Sequence, residues 1–516
     1  MTPVKTESPK WFLTIFLSLA GVLLTSLAPL HSEQADAEKP APDAVEQTDH
    51  KDPHSPDAPG HHEVSKGVTI LFTLILAAMI LCLALEEKIH AKKSLIVGCF
   101  CVLSLFLGAL FHLLPFKELT PITIGGHQLN IPVYIPGIDW GVIAIILGSS
   151  LFVDVTSKSG LFTWIAIKLT KTSKGDPVKL LWFYGVMTVV FSAVLNNVTA
   201  MIIVGSLTGV SLSKLEKRDM LLGFLVIEGL LTNIGGLLTL ISSVPNIIVG
   251  TAANIPFVTF FIVAAPYVLV ATVITIIMGA KLFGIKGLST EEEKSGAAQL
   301  VEGFDENDGI ESESFFWFGT IMTGLFIIVI ASTSALPYLS DLGMGYVALS
   351  FAAVMLIRYK SEVDKFYQSV DWDLLGFFAC LFVVINVMEH AMVLEMIGTW
   401  LKPIIEMPVK PGSAALMVAA GLASSVTDNI PLAAMLSKIL GGLSDPPSMK
   451  LWWAVVFGAN LGGNITPIGS ASTLVAVTII HKNKLHMSFA GFVKMAIPYA
   501  AIQLFLAAIY VVLFVG

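Results

Sequence analysis

Ser424-Ser425-Val426-Thr427-Asp428-Asn429-Ile430-Pro431 sets a carboxylate, an amide and three hydroxyls inside about thirty residues, 412–443, that are otherwise almost wholly apolar. In lipid an ionised Asp at mid-depth costs about 2.5–3.5 kcal/mol even on the lenient insertion scale, so it needs a cation, a proton or a water-filled cavity beside it. The same residues are good turn chemistry, and an extramembrane turn is the alternative reading. The first half of the chain decides against it, because it repeats the pattern.

Of 516 residues, 55% are hydrophobic and only 13% charged, with mean hydropathy +0.80. A soluble protein of this length has no interior large enough for so much apolar sequence, and many runs reach eighteen residues with few charges. The chain reads as an all-α polytopic membrane protein. Its net charge of −8 is concentrated in a tail and a linker. Cys82, Cys99, Cys101 and Cys380 lie in apolar runs without metal or disulfide spacing and read as small hydrophobic residues. Residues 1–32, with Lys5 and Lys10 before an apolar run, resemble a secretory signal. Residues 33–67 are rich in Asp, Glu, Pro and His and read as a disordered extracytoplasmic tail carrying His50, His54, His61 and His62.

Apolar runs and Lys/Arg placement together predict spans and sides. A first repeat covers 68–283: crossings at 68–85 and 94–115, a broken crossing at 138–170, a hairpin at 178–212, a broken crossing at 220–250 and a last one at 257–282. The flank Glu86-Glu87-Lys88-Ile89-His90-Ala91-Lys92-Lys93 reads as cytoplasmic. Residues 178–212 have lysines on both sides and are too short for two spans, so they predict two half-length helices entering and leaving on one face. After a cytoplasmic linker, 284–314, a second repeat at 315–516 runs the same order with opposite orientation. Its crossings are 315–336, 344–357, 372–401, 451–480 and 487–514, and its hairpin is 412–443. Both the tail and the C-terminus are then extracytoplasmic.

The two hairpin tips align without a gap, Ser192 on Ser424, Asn196 on Asp428 and Asn197 on Asn429. In the next crossing Asn233-Ile234-Gly235-Gly236 matches Asn460-Leu461-Gly462-Gly463, with Thr239 on Thr466 and Ser243 on Ser470. A weaker match sets Asp154 near Glu389 and Trp164 on Trp400. Inverted repeats with discontinuous helices place a transporter's substrate near the bilayer midplane.

The site expected there gathers Asn196, Asn197 and Thr199 from one tip and Thr427, Asp428 and Asn429 from the other. Thr239, Asn464 and Thr466 come from the broken crossings. Hard oxygen donors around one carboxylate, with no Lys or Arg in either tip, suit a small hard cation. Na⁺ is placed at Asp428, Asn429, Asn196 and Asn197. Burial raises the pKa of such a carboxyl and a bound cation lowers it, so proton and cation compete for one group. Asp154, Glu228, Glu389 and His390 are candidates for a second proton site or for structural pairing.

These tips, with Gly462-Gly463-Asn464-Ile465-Thr466-Pro467-Ile468-Gly469, resemble NhaD-type sodium/proton antiporters of the ion transporter superfamily, over residue 68 to the C-terminus. The resemblance implies Na⁺ or Li⁺ efflux against H⁺ across the bacterial cytoplasmic membrane and a homodimer. It implies no cofactor, and nothing in the sequence points to nucleic acid. The competing reading on the same scaffold is a sodium-coupled anion, dicarboxylate or arsenite-type carrier. A channel and an intramembrane hydrolase using Ser470 and His390 are weaker, since neither accounts for two matched tips.

Overall fold

The computed structural model describes residues 64–114, 122–124, 127–129, 131–132, 134–443 and 445–515. The signal-like segment and the four tail histidines lie outside them. Helices α1 (Lys66–Ala84), α2 (Glu86–Ile89) and α3 (Lys93–Leu110) are followed by a two-stranded antiparallel hairpin, β1 (Ile122–Ile124) and β2 (His127–Leu129). Then come α4 (Trp140–Ser157), α5 (Leu161–Ser173), α6 (Pro177–Val194), α7 (Asn197–Lys214), α8 (Leu221–Gly235), α9 (Val244–Ala252) and α10 (Phe257–Leu282). The linker carries α11 (Glu291–Glu302), started by a capping box between Thr290 and Glu293. The second half comprises α12 (Glu313–Ser332), α13 (Leu339–Arg358), α14 (Val363–Ser369), α15 (Trp372–His390) and α16 (Val393–Ile405). It ends with α17 (Val409–Val426), α18 (Asn429–Gly441), α19 (Met449–Gly462), α20 (Ala471–Lys482) and α21 (Phe489–Phe514).

Ten described helices are long and apolar enough to cross a membrane. They leave Leu74, Val102, Ile262, Leu269, Ile357 and Phe505 exposed, as lipid-facing side chains would be. The protein is a multi-pass membrane protein. Eight of the ten coincide with expected crossings, and the other two, α6 and α17, are the first arms of the expected hairpins. The crossings expected at 220–250 and 451–480 are split into α8 and α9 and into α19 and α20.

Three expectations need correction. Three of the four hairpin arms are not half-length: α6, α7 and α17 have 18 residues each, whereas α18 has 13 and is too short to span. At 1.5 Å per residue an 18-residue helix is nearly as long as the hydrocarbon layer is thick, so length alone does not make these arms re-enter. The crossing expected at 372–401 is broken, because Met392 takes a left-handed conformation (φ 62) between α15 and α16. Its counterpart is Gly160 (φ 83) between α4 and α5, 232 positions earlier. That register places Asp154 opposite Asn386, not Glu389, and Trp164 opposite Met396, not Trp400.

The same 232-residue register holds further upstream. Asp139 caps α4 by accepting from Val142 N, and Asp371 caps α15 by accepting from Leu374 N. The following tryptophans donate back to Ile135 O and Tyr367 O. At the hairpins, Ser192 Oγ donates to Thr232 O and Ser424 Oγ to Ala459 O, each at 2.6 Å. Thr239 Oγ1 donates to Ala193 O at 2.6 Å, and Thr466 Oγ1 to Ser425 O at 2.5 Å. Asn246 and Thr473 both donate across the break that follows the glycine pair, to Gly236 O and Thr239 O and to Gly463 O and Thr466 O. Glycine is demanded where hairpin and broken helix touch. A Cβ on Gly235 would lie 2.6 Å from Val189 O, and one on Gly462 would lie 2.2 Å from Gly421 O.

Candidate functional site

Six helices have their first turns at one cavity of about 560 Å³, α3 through Lys93 and α15 through Asp371 among them. Asn196 and Asn429 bring the starts of α7 and α18 to it, and Ser243 and Ser470 bring the starts of α9 and α20. The chain turns there because Asn196, Asp428 and Ser470 accept from backbone N–H groups of the turn they open, at Thr199, Ile430 and Thr473. Pro245 adds a preset φ in the first turn of α9. Orphan N–H groups and the positive ends of six helix dipoles thus converge on one space.

Lys93, Asp154 and Asp371 bring charge to the same cavity. Lys93 lies at the first turn of α3, and its Nζ sits 2.5 Å from Asp428 Oδ2 and 3.9 Å from Glu86 Oε1. The Asp428 side chain is only 6% exposed and the Lys93 side chain 21%. Both oxygens of Asp428 are therefore engaged, Oδ1 by Ile430 N and Oδ2 by the ammonium. Lys93, read from sequence as part of a cytoplasmic flank, instead supplies the counter-charge of the tip. Neither tip segment contains a Lys or Arg, as expected, but α3 brings an ammonium to the second one. Breaking a buried pair by removing one partner costs about 3–5 kcal/mol, because the other charge is left uncompensated.

The structure gathers part of the expected set. Asn196, Asn197, Thr199, Asn429 and Asp154 line the cavity, with Asp428 beside it through Lys93. Thr427 gives its hydroxyl to Ala423 O, closing the end of α17. Thr239 and Thr466 hold the two tips by donating to their carbonyls. Asn464 is fully buried, accepting from Asn233 at 2.8 Å and donating to Gln503 at 2.9 Å, which in turn donates to Thr275. This network reaches the cavity through Asn233, to whose Oδ1 Asn197 and Ser472 donate. Glu228 is fully buried away from this cavity, its Oε1 accepting from Thr208 and its Oε2 without a partner among the described residues. Glu389 pairs with Lys438 at 3.0 Å, and the exposed His390 faces its own backbone at Asn386 O.

Glu389 and Lys438 line a second cavity of about 450 Å³, together with Asp139 and Ser437. It meets the N-terminal end of α4 and the C-terminal ends of α15 and α18, whereas the first cavity meets the opposite ends of these three helices. The two spaces therefore lie on either side of the layer that holds the tips.

Sequence reasoning passed over Lys93, Asp371, Ser472 and Gln503. Gln503 was visible as a lone amide in an apolar final helix, and Asp371 through the repeated Asp-Trp pairs at 139–140 and 371–372. Lys93 carried no such signal, since a lysine after an apolar span reads as a flank.

A family model described as CitMHS, citrate transporter, matches residues 81–458. The chain belongs to this family. The uncharacterised transporter Rv2685 of Mycobacterium tuberculosis is 30% identical over 386 residues, covering 72% of this chain and 86% of its own. The uncharacterised transporter slr0753 of Synechocystis is 25% identical, covering 86% and 96%. The mouse P protein is 24% identical over 83% of this CitMHS chain, which spans 61% of that longer protein. The crystal structure of the Alcanivorax borkumensis YdaH transporter matches with TM-score 0.51 at 14% identity, covering 83% of this chain and 98% of that one. At that identity the likeness concerns the fold alone. The CitMHS protein is a membrane transporter, and neither the family description nor these relatives' names place the NhaD-type antiporters above other branches.

Proposed function

We propose that this CitMHS-family protein exchanges Na⁺ or Li⁺ for H⁺ by alternating access, with Asp428 as the group that cation and proton share. The observation that carries the reading is a buried carboxylate, at a chain turn between two helix ends, whose one ion-pair partner among the described residues is the ammonium of a flexible lysine. A bare cation can replace that ammonium at Oδ2, and a proton can neutralise the same oxygen. Asn196, Asn197, Thr199 and Asn429 supply neutral oxygens on the neighbouring walls.

In this reading α6–α7 and α17–α18 are re-entrant hairpins, and the two halves are inverted repeats. The lysine-flanked base of the first hairpin and the shared cavity at both tips support re-entrance. Five crossings then separate Trp140 from Trp372, and an odd number reverses the direction of equivalent helices. The first cavity faces the cytoplasm and the second faces outward. The protein sits in the bacterial cytoplasmic membrane.

A second reading, sodium-coupled transport of an organic anion, is favoured by one specific arrangement: six helix N-termini and Lys93 around a space far larger than a bare ion. Reconstitution in proteoliposomes with an imposed pH gradient separates the two. Na⁺ or Li⁺ alone dissipates the gradient under the first reading. Under the second, cations alone do nothing and labelled citrate or dicarboxylate enters only with Na⁺.

A further inference from the structure

Lys93 stands between two carboxylates. Its Nζ contacts Asp428 Oδ2 at 2.5 Å and lies 3.9 Å from Glu86 Oε1, so a rotation of its flexible stem transfers it from one to the other without leaving an ammonium unpaired. The backbone at the base of that stem is anchored, because Ser94 donates from N and Oγ to Asp373 Oδ1. Lysine and carboxylate come from segments 335 residues apart. At the equivalent tip the carboxylate is replaced by Asn196, whose Oδ1 is occupied by Thr199 N. The repeat thus loses its symmetry at the charge-bearing position, and the lysine is found on the charged side.

We propose that Lys93 is a tethered competitor for the transported cation: its ammonium fills the Asp428 site while the site is empty and moves to Glu86 when Na⁺ or Li⁺ takes Oδ2. This deepens the antiport reading and rests on it. The physical gain is twofold. An empty site never leaves a bare buried carboxylate at the tip, which would be costly. The ammonium also returns to Asp428 as the cation leaves, and the site crosses back only after a proton on Oδ2 has displaced the ammonium in turn, which keeps the exchange coupled. The cost is affinity, since the cation binds only the fraction of molecules in which Lys93 has let go. Besides Asp428 and Glu86, the charged groups near Lys93 are Asp373 beneath it and Asp154 and Asp371 across the cavity.

The test uses the full-length protein in proteoliposomes at alkaline pH, where protons compete least. The readouts are the apparent KM for Na⁺ in gradient dissipation and the rate of labelled Na⁺/Na⁺ exchange without a pH gradient. Lys93→Met is expected to lower KM on the order of tenfold, the value for a site held by lysine nine-tenths of the time. Glu86→Gln removes the landing place and is expected to raise KM. Lys93→Cys treated with an aminoethyl thiosulfonate regains an ammonium on a stem one atom longer and is expected to shift KM back toward wild type, with treated wild type as the control. Unchanged KM in Lys93→Met overturns the proposal, as does a loss of transport in both Lys93 variants that the restored amine does not reverse. If the wild type responds to no cation, the antiport reading fails before any variant is compared, and the proposal falls with it.

Discussion

The Nζ of Lys93 lies 2.5 Å from Oδ2 of Asp428, joining the first turn of one membrane helix to the cap of another 335 residues away. Among the described residues Asp428 has no other ion-pair partner and is nearly buried, whereas Lys93 also has Glu86 at 3.9 Å. The carboxylate therefore depends on the ammonium more than the ammonium depends on it.

Asp428→Asn should abolish Na⁺-driven proton movement while the protein still inserts. It should also lower thermal stability in detergent, by less than the about 3–5 kcal/mol of an orphaned buried charge, because the ammonium can turn to Glu86. Adding Lys93→Met to Asp428→Asn removes the displaced charge and should recover part of the lost stability but none of the exchange. A thermal-shift double-mutant cycle checks it, and purely additive losses would contradict the pairing.

Asn196→Ala removes both a cavity oxygen and the cap on Thr199 N. The lost cap should destabilise the start of α7 by about 0.5–2 kcal/mol, and the apparent KM for Na⁺ should rise. Asn196→Ser keeps a capping oxygen on a shorter side chain. It should restore stability more than affinity, which side-by-side melting and transport assays would resolve.

Gly462→Ala should be among the most damaging small substitutions in the chain. The new Cβ meets Gly421 O at 2.2 Å, and neither backbone can yield without parting α17 from α19. Gly296→Ala, on α11 with open space around it, should instead add up to about 1 kcal/mol to the helix. The yield of monodisperse protein after extraction measures both.

Glu228→Gln should leave exchange intact, since the side chain reaches neither cavity and Gln preserves the acceptor for Thr208. Loss of proton coupling with retained Na⁺/Na⁺ exchange would instead make Glu228 a proton site.

The linker should loosen in acid. Glu306 lies against Lys171 and 3.6 Å from Lys168, and the Lys171 ammonium holds its carboxyl below the ordinary carboxylate value. A depressed folded-state pKa gives a contribution that is complete above about pH 4.3 and disappears as pH falls through the lower folded value. Protection factors in residues 303–312, taken relative to intrinsic exchange at each pH, should therefore stay constant from neutrality down to that point and fall below it. Glu306→Gln should show the looser state at every pH.

Much of this architecture could be read along the chain because it is locally encoded. Apolar runs of membrane length give the spans. Asn-x-Gly-Gly followed by Pro245 or Pro467 marks where a helix cannot continue. The two tips, 232 positions apart, show that the chain repeats itself. The Asp-Trp pairs were equally legible, and they set the register that the weaker Glu389 and Trp400 match misplaced.

What the amino-acid order alone determined is which segments are apolar, where they break and which breaks correspond, because each depends on a few neighbouring residues. Only the tertiary structure decided the use of the polar groups at those breaks. Thr239, Thr466 and Asn464 are as good ligands as Asn196 by composition, yet packing spends their hydrogen bonds on tip carbonyls and on Gln503. Lys93 reads as a solvated flank until α3 is laid beside the second tip. Burial and partnership are properties of surfaces brought together from distant parts of the chain, and no local pattern records them.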